Sequence, residues 1–526
     1  MRTYATRTSR SWLAGTVIFL VLFWLVDLAG LRAGVPDPLD DSWEYGAVAR
    51  SLLAGHGFHT PVVHPPLWSL RDTSGSVPVL VHGPLVPVLL APLVALAGPG
   101  ALDHLAWLAA LFAVLAALAL RRLGERWHTP PTGTAAALAF TLSPLTLRAV
   151  HHDLALVLGA WLLALALEQL ARTRPRGLRA GLALGAGLLV RPEFLLALPL
   201  LALLAGPARR RFVLVALAPL LPWMWHGWMH AGSPLFNLSG YLLVGYWGAR
   251  PEISVMRDFA IPPRAWPQVL ADSLAGLPGK WLVFFPRALK RVLLSPSDFT
   301  GWLAPIGALL ALQAPASRVL AMVAAALAML PLAIMTVTLP DPRYVVPFLP
   351  VFALGAARGA AELVDWLPPR YRGPRAWMTV LTLLLGVSEL PALAGGWREG
   401  AAARARLARE RSALASLPAA MPGGNPVFSD TPDFVAWTLR RPALWVTREE
   451  YAALPEASDS SSAPADRPAR RPGDVLWFHA ADGRGAPLDS VTTASPAEPD
   501  AALSQAPAPV PPPTRPKRAP KRATKR

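Results

Sequence analysis

Long apolar runs separated by short arginine-rich stretches dominate this sequence, and a chain so patterned folds in a membrane. The first run, Trp12 to Leu31, has roughly the 20 residues that cross a hydrocarbon core. Arg2, Arg7 and Arg10 precede it, so the excess of positive charge on cytoplasmic segments sends the segment after the run outside. A cleaved signal peptide would show a shorter apolar core and a small-residue cleavage site, so this run reads as an uncleaved first helix. Of the 526 residues, 53% are hydrophobic and 16% charged, which is too apolar for a soluble protein and too long for one anchor.

A net charge of +17 would suggest nucleic acid in a soluble chain. Here much of it lies in short Arg stretches beside apolar runs, so topology and lipid headgroups account for it and no nucleic-acid partner is expected. The chain has no cysteine, which excludes disulfides, thiolate metal sites and a Cys nucleophile.

Residues 33 to 100 read as a long extracytoplasmic loop with an amphipathic stretch, Tyr45 to Ala54, and a proline-broken apolar stretch, Gly83 to Leu96. If that stretch lies in the interface, Leu102 to Leu120 runs inward and brings Arg121, Arg122 and Arg126 to the cytoplasm. Thr132 to Val150, Leu154 to Leu170, Ala180 to Val190, Phe194 to Ala205 and Phe212 to His226 then alternate across the membrane. Residues 227 to 300 form a second large outer segment. Trp302 to Leu312, Val319 to Leu339, Tyr344 to Ala361 and Trp377 to Leu393 complete the series, about 11 transmembrane helices in all. The expected fold is an all-α polytopic membrane protein, residues 1 to 396, with a small extracytoplasmic α/β module at residues 397 to 490. In the module Ala401 to Leu417 reads as a helix, and Pro426 to Ser429, Phe434 to Val446 and Val475 to His479 as strands. Residues 491 to 526, rich in Pro and ending in a basic run, read as a disordered tail.

Carboxylates gather on the outer side. Asp40 and Asp41 precede the amphipathic stretch. One of them can cap its helix, but capping does not need both, so Asp41 and Asp40 are both candidate catalytic residues. Tyr45 and Arg50 come after them at spacings that put Tyr45 near the Asp41 carboxylate and Arg50 along a neighbouring face. Asp153, in His151-His152-Asp153, is either a helix boundary or a second carboxylate on the same face as Asp41, able to help activate a hydroxyl. Arg191 and Arg343 fall at outer ends of runs, where a guanidinium clamps a phosphate or snorkels to the interface. His82, in His82-Gly83-Pro84-Leu85, can contact a phosphate or be structural. The His-His-Asp run lacks a third spaced ligand, so no metal site is assigned. No cofactor is expected, and the sequence leaves a divalent metal open. Nucleotide-binding and serine-hydrolase signatures are absent in the contexts that give them meaning.

Asp41-x-x-x-Tyr45-x-x-x-x-Arg50, the His82-Gly-Pro-Leu segment and Asp153 occur in that order with Arg191-Pro-Glu193, Pro222-Trp223, Gly232-Ser-Pro234 and Arg343-Tyr344-x-x-Pro347. Over about the first 360 residues this order resembles the GT-C membrane glycosyltransferases, in particular the family 39-type group of protein O-mannosyltransferases and the aminoarabinose transferase of lipid A. The resemblance implies Asp41 as the base that deprotonates an acceptor, Asp153 as a second acidic site residue, and a polyprenyl-phosphate sugar as donor. Tyr45, Arg50, His82, Arg191, Arg343 and Tyr344 would bind substrate. The chain departs from the family pattern in having Ser42 where Glu is frequent and His82 where Lys or another basic residue is frequent.

The expected function is therefore transfer of a sugar from a membrane-borne donor to a lipid, glycan or protein hydroxyl, with inversion, on the outer face of the cell membrane. The alternatives are a flippase for a lipid-linked sugar, which would want polar residues in mid-span and often inverted repeats, and a non-catalytic envelope assembly protein.

Overall fold

A computed structural model of the chain describes residues 2–28, 41–243, 254–263, 266–294, 298–313 and 318–368, and, further on, 405, 407–412, 414, 426–455, 468–469, 475–477 and 492–493. The expected run Trp377 to Leu393 lies outside them.

The described residues are mostly helical. Helix α1, Arg2–Val26, is succeeded by α2, Ser42–Leu53, and a loop region with three two-residue strands: β1 (His59–Thr60), β2 (Val62–Val63) and β3 (Val77–Pro78). Then come α3 (Leu85–Ala97), α4 (Leu105–Trp127), α5 (Pro130–Leu142), α6 (Pro144–His152), α7 (Leu154–Leu170) and α8 (Gly177–Val190). Helices α9 (Ala197–Leu204), α10 (Arg209–Leu217), α11 (Leu220–Ala231), α12 (Trp266–Leu294), α13 (Asp298–Gln313), α14 (Arg318–Val337) and α15 (Leu349–Asp365) complete the bundle.

Local sequence explains the breaks. Thr129 caps α5 by accepting from the Thr132 amide, with Pro130 in the first turn, where its missing N–H costs nothing. Ser143-Pro144 ends α5 and starts α6 at a bend of 54°, because a proline ring cannot continue the preceding helix. Helix α4 packs on α5 and α7, α7 on α8, and α13 on α15. The last pair approach so closely that a Cβ on Gly307 would lie 1.8 Å from the Gly355 carbonyl oxygen; only glycine admits that contact, as membrane helix pairs often require. Outward, Leu22, Leu96, Leu203, Leu214, Leu221, Leu282 and Leu309 are exposed, giving the bundle an apolar outer face.

Among the described residues four helical runs are long and apolar enough to cross a membrane: Leu85–Trp127, Gly206–Ala231, Arg318–Val337 and Pro342–Asp365. The bent pair of α5 and α6 makes a fifth if it counts as one span. Leu13–Val26, Leu154–Leu170, Gly177–Val190, Pro192–Leu204 and Leu303–Gln313 are shorter apolar helices. Proline and glycine cut many of the apolar runs into pieces of under five turns. At the last turn of α7 the buried Glu168 accepts from Arg172 at 2.9 Å and also pairs with Arg126 and Gln169, a charged knot roughly 22 Å along the helix from Asp153.

Further on lie β4 (Val427–Ser429), α16 (Pro432–Leu439), β5 (Ala443–Trp445), α17 (Arg448–Ala452), β6 (Val475–Trp477) and β7 (Thr492–Thr493). The five-stranded sheet runs β2-β5-β4-β6-β7, parallel except at β6–β7. Its edge strand β2 comes from the loop after α2, with Val62 opposite Ala443. The strand expected over Phe434 to Val446 is instead α16 and then β5. Pro432 at the first helical position and Asp433 in the first turn favour the helix, and Arg440 at φ 55° ends it.

Candidate active site

Two acidic residues begin two helices at one end of the bundle, and they use their carboxylates in opposite ways. Asp153 has an extended backbone, φ −144° and ψ 97°, and its Oδ1 accepts from the amides of Ala155 at 2.9 Å and Leu156 at 3.4 Å. It caps α7 as an N-cap aspartate should. Asp41 stands at the same position of α2 with φ −55° and ψ −16°, already helical. In that conformation the side chain does not turn back over the first-turn amides, and it makes no capping hydrogen bond. The boundary role open to it in sequence is not the one its side chain takes.

Ser42 ties the two helix starts together, donating from Oγ to the carbonyl of His152 at 2.8 Å. The serine that departs from the family pattern thus holds Asp41 beside Asp153. On the free side of Asp153, Arg191 donates from Nη2 to Oδ2 at 3.1 Å; Arg191 ends α8 and also pairs with Glu193 at 3.7 Å. Arg343 brings Nη1 to 3.9 Å from Asp41 Oδ2, within ion-pair range but too far for a hydrogen bond. Asp341 holds Arg343, accepting from its backbone amide at 2.9 Å and lying 3.4 Å from its Nε.

Behind Asp41, α2 presents Glu44 and Tyr45 to His82. Glu44 Oε2 is 3.1 Å from His82 Nε2 and 3.8 Å from His64 Nε2. The Tyr45 hydroxyl lies 3.3 Å from His82 Nδ1. Gly83 makes this possible: a Cβ there would stand 2.0 Å from the Leu189 carbonyl oxygen, so only glycine lets the His82 segment lie against the end of α8. The sequence points to His82 and Tyr45 but not to Glu44. In sequence it is an ordinary first-turn acid; the fold reveals it, because the residues of its helix from Ser42 to Ala49 are all buried.

The electrostatics result from this crowding. Burial pushes the Asp41 carboxyl up, but the charges of His82, Arg343 and Arg191 together outweigh it and leave it below the ordinary value. Burial raises Asp153, and the Asp41 charge adds to that against the opposing Arg191, so it ends above the ordinary value. Burial and the neighbouring Asp153 and Asp41 push the Tyr45 phenol well up, so it stays neutral. For Glu44 the two histidines overcome burial and hold it well down.

Tyr344 is buried beside Arg343, and a small open hollow is lined by Arg191, Glu193, Phe194, Ile334, Tyr344, Pro347 and Phe348. The structure therefore brings Asp41, Tyr45, His82, Asp153, Arg191, Arg343 and Tyr344 together. It does not bring in Arg50, which donates to the Trp437 carbonyl at 3.0 Å and lies 3.9 Å over the Trp437 ring; a pull towards substrate loses to stacking on α16. Asp40 lies outside the described residues. Among the described residues no group of three His, Asp or Glu side chains could hold a metal ion.

No protein family matches this sequence, and no curated protein is a significant match to it. Solved structures do resemble it in fold. The archaeal oligosaccharyltransferase AglB from Archaeoglobus fulgidus, in complex with an inhibitory peptide and a dolichol-phosphate, superposes with a TM-score of 0.51 at 13% identity, over 85% of this chain and 66% of AglB. Its apo form gives 0.52 at 13% identity, over 84% and 65%, so this chain spans about two thirds of AglB. ArnT from Cupriavidus metallidurans bound to undecaprenyl phosphate gives 0.49 at 15% identity, over 83% of this chain and 86% of ArnT. AglB is a membrane glycosyltransferase of the GT-C superfamily, and at this identity the likeness is one of fold: the chain shares the GT-C fold.

Proposed function

We propose that the chain is a membrane glycosyltransferase that moves a sugar from a polyprenyl-phosphate donor to an acceptor hydroxyl, with Asp41 as the base. One observation carries the reading: Asp41 leaves its capping role open and points its carboxylate towards Arg343, in a cluster where the other acid is already committed to a cap and to Arg191.

In this reading the donor phosphate meets Arg343 and Arg191, with His82 behind, and the lipid chain leaves towards the membrane past the small hollow lined by Phe194 and Phe348. Guanidinium groups suit a phosphate because they offer paired donors at fixed geometry. The acceptor oxygen attacks the anomeric carbon, the carbon–oxygen bond to phosphate breaks, and the hydroxyl proton passes to Asp41. The leaving polyprenyl phosphate keeps the bonding electrons, and the cations stabilise its growing charge. A single displacement inverts the anomeric centre. A bound phosphate shares the positive charges that hold Asp41 down, so its pKa climbs when the donor arrives, which makes it a better base at the moment of need. The AglB structure that shares the fold contains a dolichol-phosphate, which supports a lipid-phosphate donor here.

The same reading takes the site to be extracytoplasmic, on a chain crossing the membrane about 11 times, with residues 397 to 490 as an outer module. The test is transfer of labelled sugar from polyprenyl-phosphate donors in membranes. Wild type should transfer and Asp41→Asn at matched expression should not; equal transfer by both would remove Asp41 as the base.

A further inference from the structure

We propose that Glu44 is a positioning residue of this site: from inside α2 it holds His82 as an imidazolium facing the lipid-linked phosphate. The phosphate half of this statement rests on the function proposed above; the Glu44–His82 half does not.

Glu44 is 1% exposed. A carboxylate so deep must be paired with a cation or lose its charge, and the cations nearest it are two imidazoles. His82 is at hydrogen-bond distance, His64 is further, and the second Glu44 oxygen has no hydrogen-bond partner. The pair therefore keeps its charge only if an imidazole carries the compensating proton, and distance selects His82. With Nε2 engaged by Glu44, the protonated ring presents Nδ1–H to the Tyr45 oxygen at 3.3 Å.

The groups facing His82 from each neighbouring element favour the same state. Helix α2 contributes Asp41, Glu44 and Tyr45; the loop after it contributes His64; α16 contributes Asp433; Arg191, at the end of α8, lies beyond Tyr45. Burial alone would push His82 down, yet Glu44, Asp41 and Asp433 raise it to about 9. The sign is that of a raised histidine: His82 stays charged below about pH 9 and loses its charge above it. The site then holds an imidazolium, balanced by the Glu44 carboxylate, beside the two arginines. That charge answers the departure from a fixed basic residue before the Pro84-Leu85 segment, because a buried glutamate makes a histidine behave as one.

The test uses full-length protein in lipid nanodiscs with isotope-labelled histidine, the His82 signal being assigned by its loss in His82→Gln. Wild-type His82 should titrate near 9, and in Glu44→Gln it should titrate about two units lower or more. Undecaprenyl phosphate should bind to Glu44→Gln at pH 8 about fivefold more weakly, or worse still, than to wild type. Wild-type His82 titrating at or below the ordinary 6.5 overturns the proposal whether or not the variant folds, as does an unchanged titration in Glu44→Gln. Equal lipid-phosphate affinity in both proteins overturns its phosphate half. Full activity of Asp41→Asn would remove only the base assignment and leave both readouts unaltered, and absence of transfer by the wild type would fail the sugar-transfer reading while leaving the His82 titration as it stands, so the two failures are told apart.

Discussion

Arg191 donates from Nη2 to Asp153 Oδ2 at 3.1 Å while Asp153 Oδ1 caps α7, so a single carboxylate starts one helix and anchors the end of another, α8. Asn and Ala at position 153 separate the two jobs. Asn keeps a capping oxygen and loses the charge; Ala loses both. Asp153→Ala should be about 1 kcal/mol less stable than Asp153→Asn in thermal unfolding, the usual worth of an N-cap. Arg191→Met should recover part of the stability lost in Asp153→Asn, because it removes the guanidinium left without its partner.

Asp41 sets the acid limb of transfer. A depressed carboxylate remains deprotonated, and so able to accept a proton, at any pH above its lowered pKa. The acid limb of kcat/KM, which reports the free enzyme, should fall below the ordinary aspartate value of 3.8. The limb of kcat should lie higher, since bound donor phosphate shares the arginine charges. Arg343→Met removes one of the charges that lower Asp41, so it should move the kcat/KM limb upward. A limb that does not move in that variant would mean that Arg343 does not act on the titrating group.

Charged residues at the ends of apolar runs are readable because a membrane leaves few places for them, and Asp41, His82, Asp153, Arg191 and Arg343 do meet at one end of the bundle. What the sequence hides depends on partners remote along the chain. Glu44 reads as an ordinary first-turn acid favoured by the helix dipole; only the folded loop puts His82 and His64 against it. Arg50 reads as a candidate substrate-binding residue until Trp437, 387 positions away, covers it. Helix α16 reads as strand because eight residues are too few for apolar periodicity to separate the two, and the Pro432-Asp433 start signal is the better guide.

Gly83 should tolerate no side chain. A methyl group there meets a backbone carbonyl at 2.0 Å, and backbone cannot rotate aside as a side chain can. Gly83→Ala should cost about 2 kcal/mol of stability and shift His82 relative to Glu44. Its donor KM should rise with the His82 titration displaced. Unchanged melting and unchanged KM would show that the loop relaxes without moving the histidine.

Arg50 connects α2, the helix that carries Asp41, Glu44 and Tyr45, to the C-terminal segment. Its guanidinium stacks on Trp437 and donates to that residue's carbonyl, while the Trp437 ring lies 3.0 Å from where a Cβ on Gly46 would stand. The stack is half-buried, so it should be worth about 1 kcal/mol. Lysine lacks the planar fork that makes both contacts at once, so Arg50→Lys should lose most of that, and Trp437→Ala at least as much. The two residues act through one contact, so the double variant should unfold at nearly the temperature of the worse single one. Because Arg50 faces away from the cation cluster, these variants should lower kcat through the placement of Asp41 and leave undecaprenyl phosphate affinity within about twofold. A phosphate ligand would behave in the opposite way: Arg50→Lys would weaken lipid-phosphate binding and leave the melting temperature unchanged. Measuring both quantities on the same preparation decides which role Arg50 has.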